Sequence, residues 1–324
     1  MGSLPRIVED CMGFLQLYSD GSIYRNNDIK FKDSVVEDQP VIFKDSLFHK
    51  SFDLYLRIFK PQPSSGSEIT KRPLVMFFHG GGFCFGSRTW PHVHNCCVRL
   101  ASRLRVVVAA PDYRLAPEHR LPAALDDAVE AVRWVQRVAS STGEDYAWLN
   151  GYVDFDRVFI VGDSSGGNIA HHLAVRFGSE ARDLDPIRVR GYVLLAPFFG
   201  GEARTNSEEG PPEEVLSIEM LDRFWRLSMP VGKNRDHPLA NPFGPESPDP
   251  AQVKLDPILV MVGGRELLKD RAKDYAEKLK ELGKNIEYVE FEGREHGFFS
   301  HDSYSDVAEE ALQIIQRFLL RNSA

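Results

Sequence analysis

Short apolar runs alternate with amphipathic stretches along most of this chain. Leu54-Tyr55-Leu56-Arg57-Ile58-Phe59 reads as a strand, and a turn rich in Pro, Gly and Ser follows at residues 61–67. Leu74-Val75-Met76-Phe77-Phe78 is apolar on both faces, which is the pattern of a central strand in a covered parallel sheet. Residues 106–110, 158–161, 189–195 and 258–262 repeat that pattern, and residues 286–291 are strand-like. Between the runs the spacing predicts helices over residues 123–138, 273–282 and 308–320. Such alternation predicts an α/β fold, with a mostly parallel central sheet flanked by helices. A single domain over residues 1–324 is an ordinary size for it.

Two regions break the alternation. Residues 1 to about 40 are polar and mixed, with a weak helical pattern, and residues 198–250 are rich in Gly, Pro and charge. Both still carry apolar residues that need burial: Met12, Phe14, Leu15 and Leu17 in the first, Leu216, Met220, Leu221, Phe224, Trp225 and Leu227 in the second. The latter set recurs at helix spacing, so both regions are expected to fold as lid segments over a site.

Composition narrows the function classes. The hydrophobic fraction of 43% and the charged fraction of 27% are those of a globular protein. A net charge of −8 argues against nucleic acid as a partner. Cys11, Cys84, Cys96 and Cys97 form no CxxC pair, which favours free thiols and a reducing compartment. The start MGSLPRIVED has no long apolar run, and Arg6 stands where a myristoylation signal wants Ser or Thr. No stretch approaches the ~20 apolar residues of a membrane span. The expectation is a cytoplasmic protein, with the nucleus as a second compartment, and no membrane partner. No metal or organic cofactor is implied, because no Cys/His cluster has zinc-ligand spacing. The oligomeric state is left as monomer or homodimer.

Candidate chemistry begins at Gly162-Asp163-Ser164-Ser165-Gly166-Gly167-Asn168, which lies between an apolar strand and a helical segment. That context suits a nucleophile elbow, in which a tight turn exposes a strained serine above the sheet edge. A Walker-type phosphate loop would need Gly-Lys-Ser or Gly-Lys-Thr, which the chain lacks. Ser164 alone has glycines at minus two and plus two, so it is the expected nucleophile, and Ser165 is expected to lend its N–H to an oxyanion hole. His79-Gly80-Gly81-Gly82 follows the strand at 74–78. Gly81 and Gly82 are expected to donate to the oxyanion, with Gly80 shaping the turn and His79 bracing the loop.

The expected base is His296, because this kind of site runs serine, acid, histidine along the chain. His237 would precede the acid, and His301 lies near the last helix. The expected acid is Glu266, just beyond the strand at 258–262. Asp270 is the alternative, better placed as a charge on the first turn of a helix.

These motifs, together with Asp112-Tyr113-Arg114-Leu115-Ala116-Pro117-Glu118-His119, resemble the hormone-sensitive-lipase group of esterases. Within that group the chain resembles a plant class I carboxylesterase over nearly its whole length, from Val8-Glu9-Asp10-Cys11-Met12-Gly13 to Asp236-His237-Pro238-Leu239-Ala240-Asn241-Pro242. The resemblance implies the α/β-hydrolase fold and hydrolysis of a small-molecule ester. Most of that family carries Asp at the position of Glu266. Glutamate there, with Phe83-Cys84-Phe85-Gly86-Ser87-Arg88 after the glycines, is similar to the carboxylesterase 15 type, associated with strigolactone hydrolysis. The gibberellin receptor also resembles these esterases but lacks the histidine, so His296 favours an enzyme over a hormone-binding protein. A lyase or cyclase on the same scaffold is a third reading.

Overall fold

The computed structural model describes residues 4–32, 34–35, 40–62, 70–141, 146–179 and 181–323. Of the turn expected at 61–67, residues 63–67 lie outside the described residues, as do residues 1–3, 33 and 36–39 of the first expected lid segment.

Among the described residues, eight strands form one sheet. In chain order they are β4 (Val41–His49), β5 (Leu54–Pro61), β6 (Arg72–Phe78), β7 (Val107–Pro111), β8 (Val153–Asp163), β9 (Val189–Leu195), β10 (Ile258–Gly263) and β11 (Ile286–Phe291). Their spatial order is β11-β10-β9-β8-β6-β7-β5-β4. All neighbours from β11 to β7 run parallel, while β5 is antiparallel to both β7 and β4.

The pleat sorts the apolar runs into two cores, because successive side chains point to opposite faces. Leu74, Met76, Phe78, Ile160, Val260 and Val262 face the side covered by α2 (Ala123–Ser140), α4 (Ser165–Ser179) and α6 (Lys269–Glu281). Val75, Phe77, Phe159, Val161, Leu259 and Met261 face α1 (Pro91–Leu104) and α7 (Asp306–Arg321). A fully buried side chain such as Phe77 or Phe159 contributes roughly 1.5–3 kcal/mol by leaving water. Helix α1 is not among those the spacing predicts above. Yet Val93, Cys96, Cys97, Leu100 and Ala101 follow the helical period, and Pro91 stands at its first turn. The four cysteines are buried free thiols.

The weak helical pattern of the N-terminal region does not become a helix. Residues there form a small antiparallel sheet of β1 (Ile7–Cys11), β2 (Leu15–Tyr18) and β3 (Ile23–Arg25). Turns with left-handed Gly13 and Gly21 reverse the chain, and Cys11 and Leu15 enter the core. In the other irregular region, α5 (Ile218–Ser228) buries Leu221, Phe224, Trp225 and Leu227, and Ser217 caps it through Met220 N–H.

The two regions are tied together. Glu9 on β1 meets Arg223 at 2.9 Å and Arg226 at 2.8 Å on α5. Burial would raise the Glu9 carboxyl, but hydrogen bonds and charge from Arg226 and Arg223 outweigh it and hold it low. Among the described residues no helix is long and apolar enough to cross a membrane.

Candidate active site

Four parallel strands deliver their C-terminal ends to one edge of the sheet, where open α/β sheets place their ligands. β6 leads into His79, Gly80, Gly81 and Gly82, β8 into Ser164, β10 into Glu266 and β11 into His296.

Ser164 sits between the end of β8 and the start of α4 with φ 55°, in the left-handed region. That conformation costs a residue with a side chain about 1–3 kcal/mol, and the surroundings must enforce it. Two glycines allow the turn by close approach. A Cβ on Gly162 would strike the carbonyl of Gly166, and one on Gly166 would strike that of Phe78. Ser164 N–H donates to Leu195 O at 2.9 Å, and its carbonyl accepts from Phe198 N at 2.9 Å and Asn168 N at 3.2 Å. The serine thus stands on a fixed backbone at the wall of a cavity of about 470 Å³. Ser165 turns the other way. It is fully buried, with Oγ 3.3 Å from Tyr113 Oη.

The glycine loop lies against the serine. Gly80 is so close that a Cβ there would come within 3.2 Å of Ser164 Cβ. Gly82 has φ 59°, and any side chain on it would enter the Phe224 ring. Among the described residues no main-chain carbonyl accepts from the N–H of Gly81, Gly82 or Ser165, and Gly81 and Gly82 line the cavity, where such donors suit an incoming oxygen. His79 is buried and stacks on Tyr113 at 4.3 Å. Its Nδ1–H donates to Gly80 O at 2.7 Å, and Tyr113 O–H donates to His79 O at 2.8 Å. Burial holds its pKa low, so the ring is a neutral brace. Neighbours of Tyr113 brace the same loop. Asp112 accepts Arg88 N–H at 2.7 Å, and Glu118 pairs with Arg25, which also donates to Cys84 O at 2.7 Å.

Glu266 is buried, and its Oε2 lies 2.7 Å from His296 Nδ1. Its Oε1 accepts the N–H of Gly263. Burial raises the Glu266 carboxyl above its ordinary range, against the opposing hydrogen bond and charge of His296. For His296, burial opposes the charged ring, but the hydrogen bond and charge of Glu266, with Asp163 and Glu213, outweigh it and bring its pKa to about 9. Nδ1–H donating to the carboxylate leaves Nε2 as the ring's acceptor, and His296 lines the same cavity as Ser164. Asp270 lies elsewhere, on the first turn of α6, accepting Ser207 N–H at 2.8 Å. His237 does not line this cavity, whereas His301 does, with its ring against His92.

The cavity walls are mainly apolar. Met12, Phe14 and Phe31 come from the N-terminal region, and Leu216, Met220 and Phe224 from the second irregular region. Trp90, His92, Ser300 and Glu213 are site features that the sequence reading does not single out. Trp90 and His92 line the wall where α1 begins, and Ser300 Oγ–H donates to Asp163 at 2.5 Å. Trp90-Pro91 directly after the glycine loop was the available signal for the first pair. Glu213 had none, since its partners are main-chain groups far along the chain.

Comparison with known proteins agrees with the fold. Residues 75–300 match the family described as alpha/beta hydrolase fold. Carboxylesterase 20 of Arabidopsis thaliana is 35% identical over 305 residues, covering 89% of this chain and 90% of that protein. A gibberellin receptor of the same plant is 37% identical over 270 residues, covering 82% of this chain and 71% of the receptor. Among solved structures, an esterase of Pyrobaculum calidifontis superposes with a TM-score of 0.71 at 30% identity, covering 86% and 84% of the two chains.

Proposed function

The chain belongs to the α/β-hydrolase family, and from that premise we propose that this carboxylic ester hydrolase works through Ser164, His296 and Glu266 by an acyl-enzyme. The observation that carries the reading is a strained serine and a carboxylate-bound histidine on one cavity, beside glycine N–H groups. His296 Nε2 takes the proton of Ser164 as its oxygen attacks the ester carbonyl. The N–H groups of Gly81, Gly82 and Ser165 receive the charge that develops on the carbonyl oxygen, with Gly80 setting the turn. His296 returns the proton to the departing alcohol, and water repeats the sequence on the acyl-enzyme.

The substrate is a small, largely apolar ester. Phe14, Phe31, Trp90, Leu216, Met220 and Phe224 wall the cavity, and apolar walls hold such a molecule while excluding water. Within that class the reading extends to a strigolactone-type hormone, supported by the resemblance carried by Glu266 and the residues after the glycine loop. The rival is a hormone receptor without turnover, favoured by the similarity to the gibberellin receptor. Turnover of p-nitrophenyl esters from acetate to decanoate, with mass analysis of products from a strigolactone analogue, separates them. Hydrolysis of the shorter esters is expected. Binding of the analogue with no ester cleaved at all would establish the receptor reading instead.

Residues 1 to about 40 and part of 198–250 act as the lid, within one domain. Deleting the first 20 residues removes β1, β2 and the Glu9 pairs with α5, and takes Met12 and Phe14 from the wall. The expected result is a folded sheet by circular dichroism with lost or altered turnover of bulky esters. A truncated protein that folds and keeps its full ester profile would refute the N-terminal part of the lid.

A further inference from the structure

Glu213 takes no part in the chemistry above, yet it is buried at 8% exposure between the two loops that carry the acid and the base. Its Oε1 accepts the N–H of Leu267 at 2.7 Å, and its Oε2 accepts the N–H of His296 at 2.5 Å. Leu267 directly follows Glu266, so one carboxylate ties the two ends of the Glu266–His296 bond. Glu213 N–H donates in turn to the carbonyl of Leu216, whose side chain lines the cavity. The next residue repeats the tie from outside. Glu214 N–H donates to the Glu295 carboxylate at 3.0 Å, and Glu295 pairs with Arg265 at 3.2 Å.

Among the described residues no Lys, Arg or His side chain forms an ion pair with Glu213. A buried carboxylate satisfied only by main-chain donors is costly to keep, and packing alone would be served better by an apolar residue. The one cation that arises beside it is the imidazolium of His296, formed when Ser164 gives up its proton.

We propose that Glu213 is a positioning residue: it holds the acid and base loops at their working separation only while the 213–216 segment is seated, and adds its negative charge to those of Glu266 and Asp163 beside the imidazolium. This rests on the esterase reading. The charged groups that act on His296 are Glu266 after β10, Asp163 at the end of β8 and Glu213 behind Leu216 of the wall; the Arg265–Glu295 pair joins the residues next to Glu266 and His296, and His301, which meets His92, packs against Gly297. Burial lowers the pKa of His296, and Glu266, Asp163 and Glu213 together raise it to about 9. The neutral ring is the working base, so turnover rises with pH through that value. The acidic limb of kcat/KM therefore lies above the ordinary imidazole value of 6.5.

Two variants separate charge from reach. Glu213→Gln keeps the size but loses the charge and one acceptor. With p-nitrophenyl acetate, and with active protein counted by organophosphate titration, kcat is expected to fall about 10- to 100-fold, with KM within about twofold and the acidic limb moved to lower pH. Glu213→Asp keeps the charge but is too short to span both N–H groups. Its kcat should fall comparably while the limb stays at the wild-type position. A purely structural role predicts a lower melting temperature and fewer active sites, with an unmoved limb and unchanged kcat per active site. That result overturns the proposal. If Glu213→Gln does not fold, Glu213→Asp decides alone: unchanged kcat overturns the proposal and a reduced kcat with an unmoved limb supports it. NMR titration of the His296 ring in the resting protein reads the charge without turnover. A wild type that cleaves no ester defeats the esterase reading, whereas an NMR pKa equal in wild type and Glu213→Gln defeats this inference.

Discussion

Ser164→Ala is expected to lower ester turnover on the order of 10⁴- to 10⁶-fold with the fold intact. The loss is large because the hydroxyl is the group that bonds to the substrate, and the remaining residues supply only the background of binding and oxyanion stabilisation. Nothing nearby can substitute. Ser165 is one residue away but fully buried against Tyr113, and a rotation to the cavity would break that packing. The backbone strain at residue 164 is set by Gly162, Gly166 and the hydrogen bonds to Leu195 and Phe198, none of which involve the side chain. Circular dichroism and the melting temperature should therefore match wild type. An organophosphate should label the peptide at Ser164 and leave Ser165 unmodified. Near-wild-type turnover in Ser164→Ala, or a label on Ser165, would overturn the assignment.

Glu266→Ala should cost the next most, roughly 10³- to 10⁴-fold in kcat, by analogy with other triad acids. Removing the carboxylate frees the His296 ring to turn and to change tautomer, and withdraws the charge that steadies the imidazolium. It also leaves Gly263 N–H buried without its acceptor. Asp270→Ala should stay within a few-fold of wild type, since Asp270 caps the Ser207 turn and does not touch His296. Glu266→Asp should fall between, about 10- to 100-fold below wild type, because a shorter arm cannot reach His296 Nδ1 and Gly263 N–H together. Steady-state kinetics on one soluble ester ranks all three. An Asp270→Ala loss exceeding that of Glu266→Ala would reverse the order.

Much of the architecture is legible in the sequence. The strands Arg72–Phe78 and Ile258–Gly263 fall where their apolar runs do, because a strand covered on both faces must be apolar throughout. Helix α5 follows from Leu221, Phe224 and Trp225 at helical spacing. The N-terminal region misleads because its strands are three to five residues long, too short for a period of two to stand out. Its turns at Gly13 and Asp20-Gly21 carry the clearer signal.

By itself, the sequence determined the central strands of the sheet and the order of the chemical groups, since both are written in neighbouring residues. A run of Val and Ile, a Gly–x–Ser–x–Gly turn and a glycine triplet act through sterics over a few bonds. Tertiary structure alone decided which side chains meet. Glu266 and Asp270 are four residues apart and chemically alike, but the Gly263 N–H turns one toward His296 while the Ser207 turn captures the other. Ser165 was diverted into the core by Tyr113, 52 residues away. Glu213 has no local signature, because its worth lies in two main-chain N–H groups 54 and 83 residues further on. Such contacts are set by where the parallel strands end and how the loops beyond them pack, so local sequence carries no trace of them.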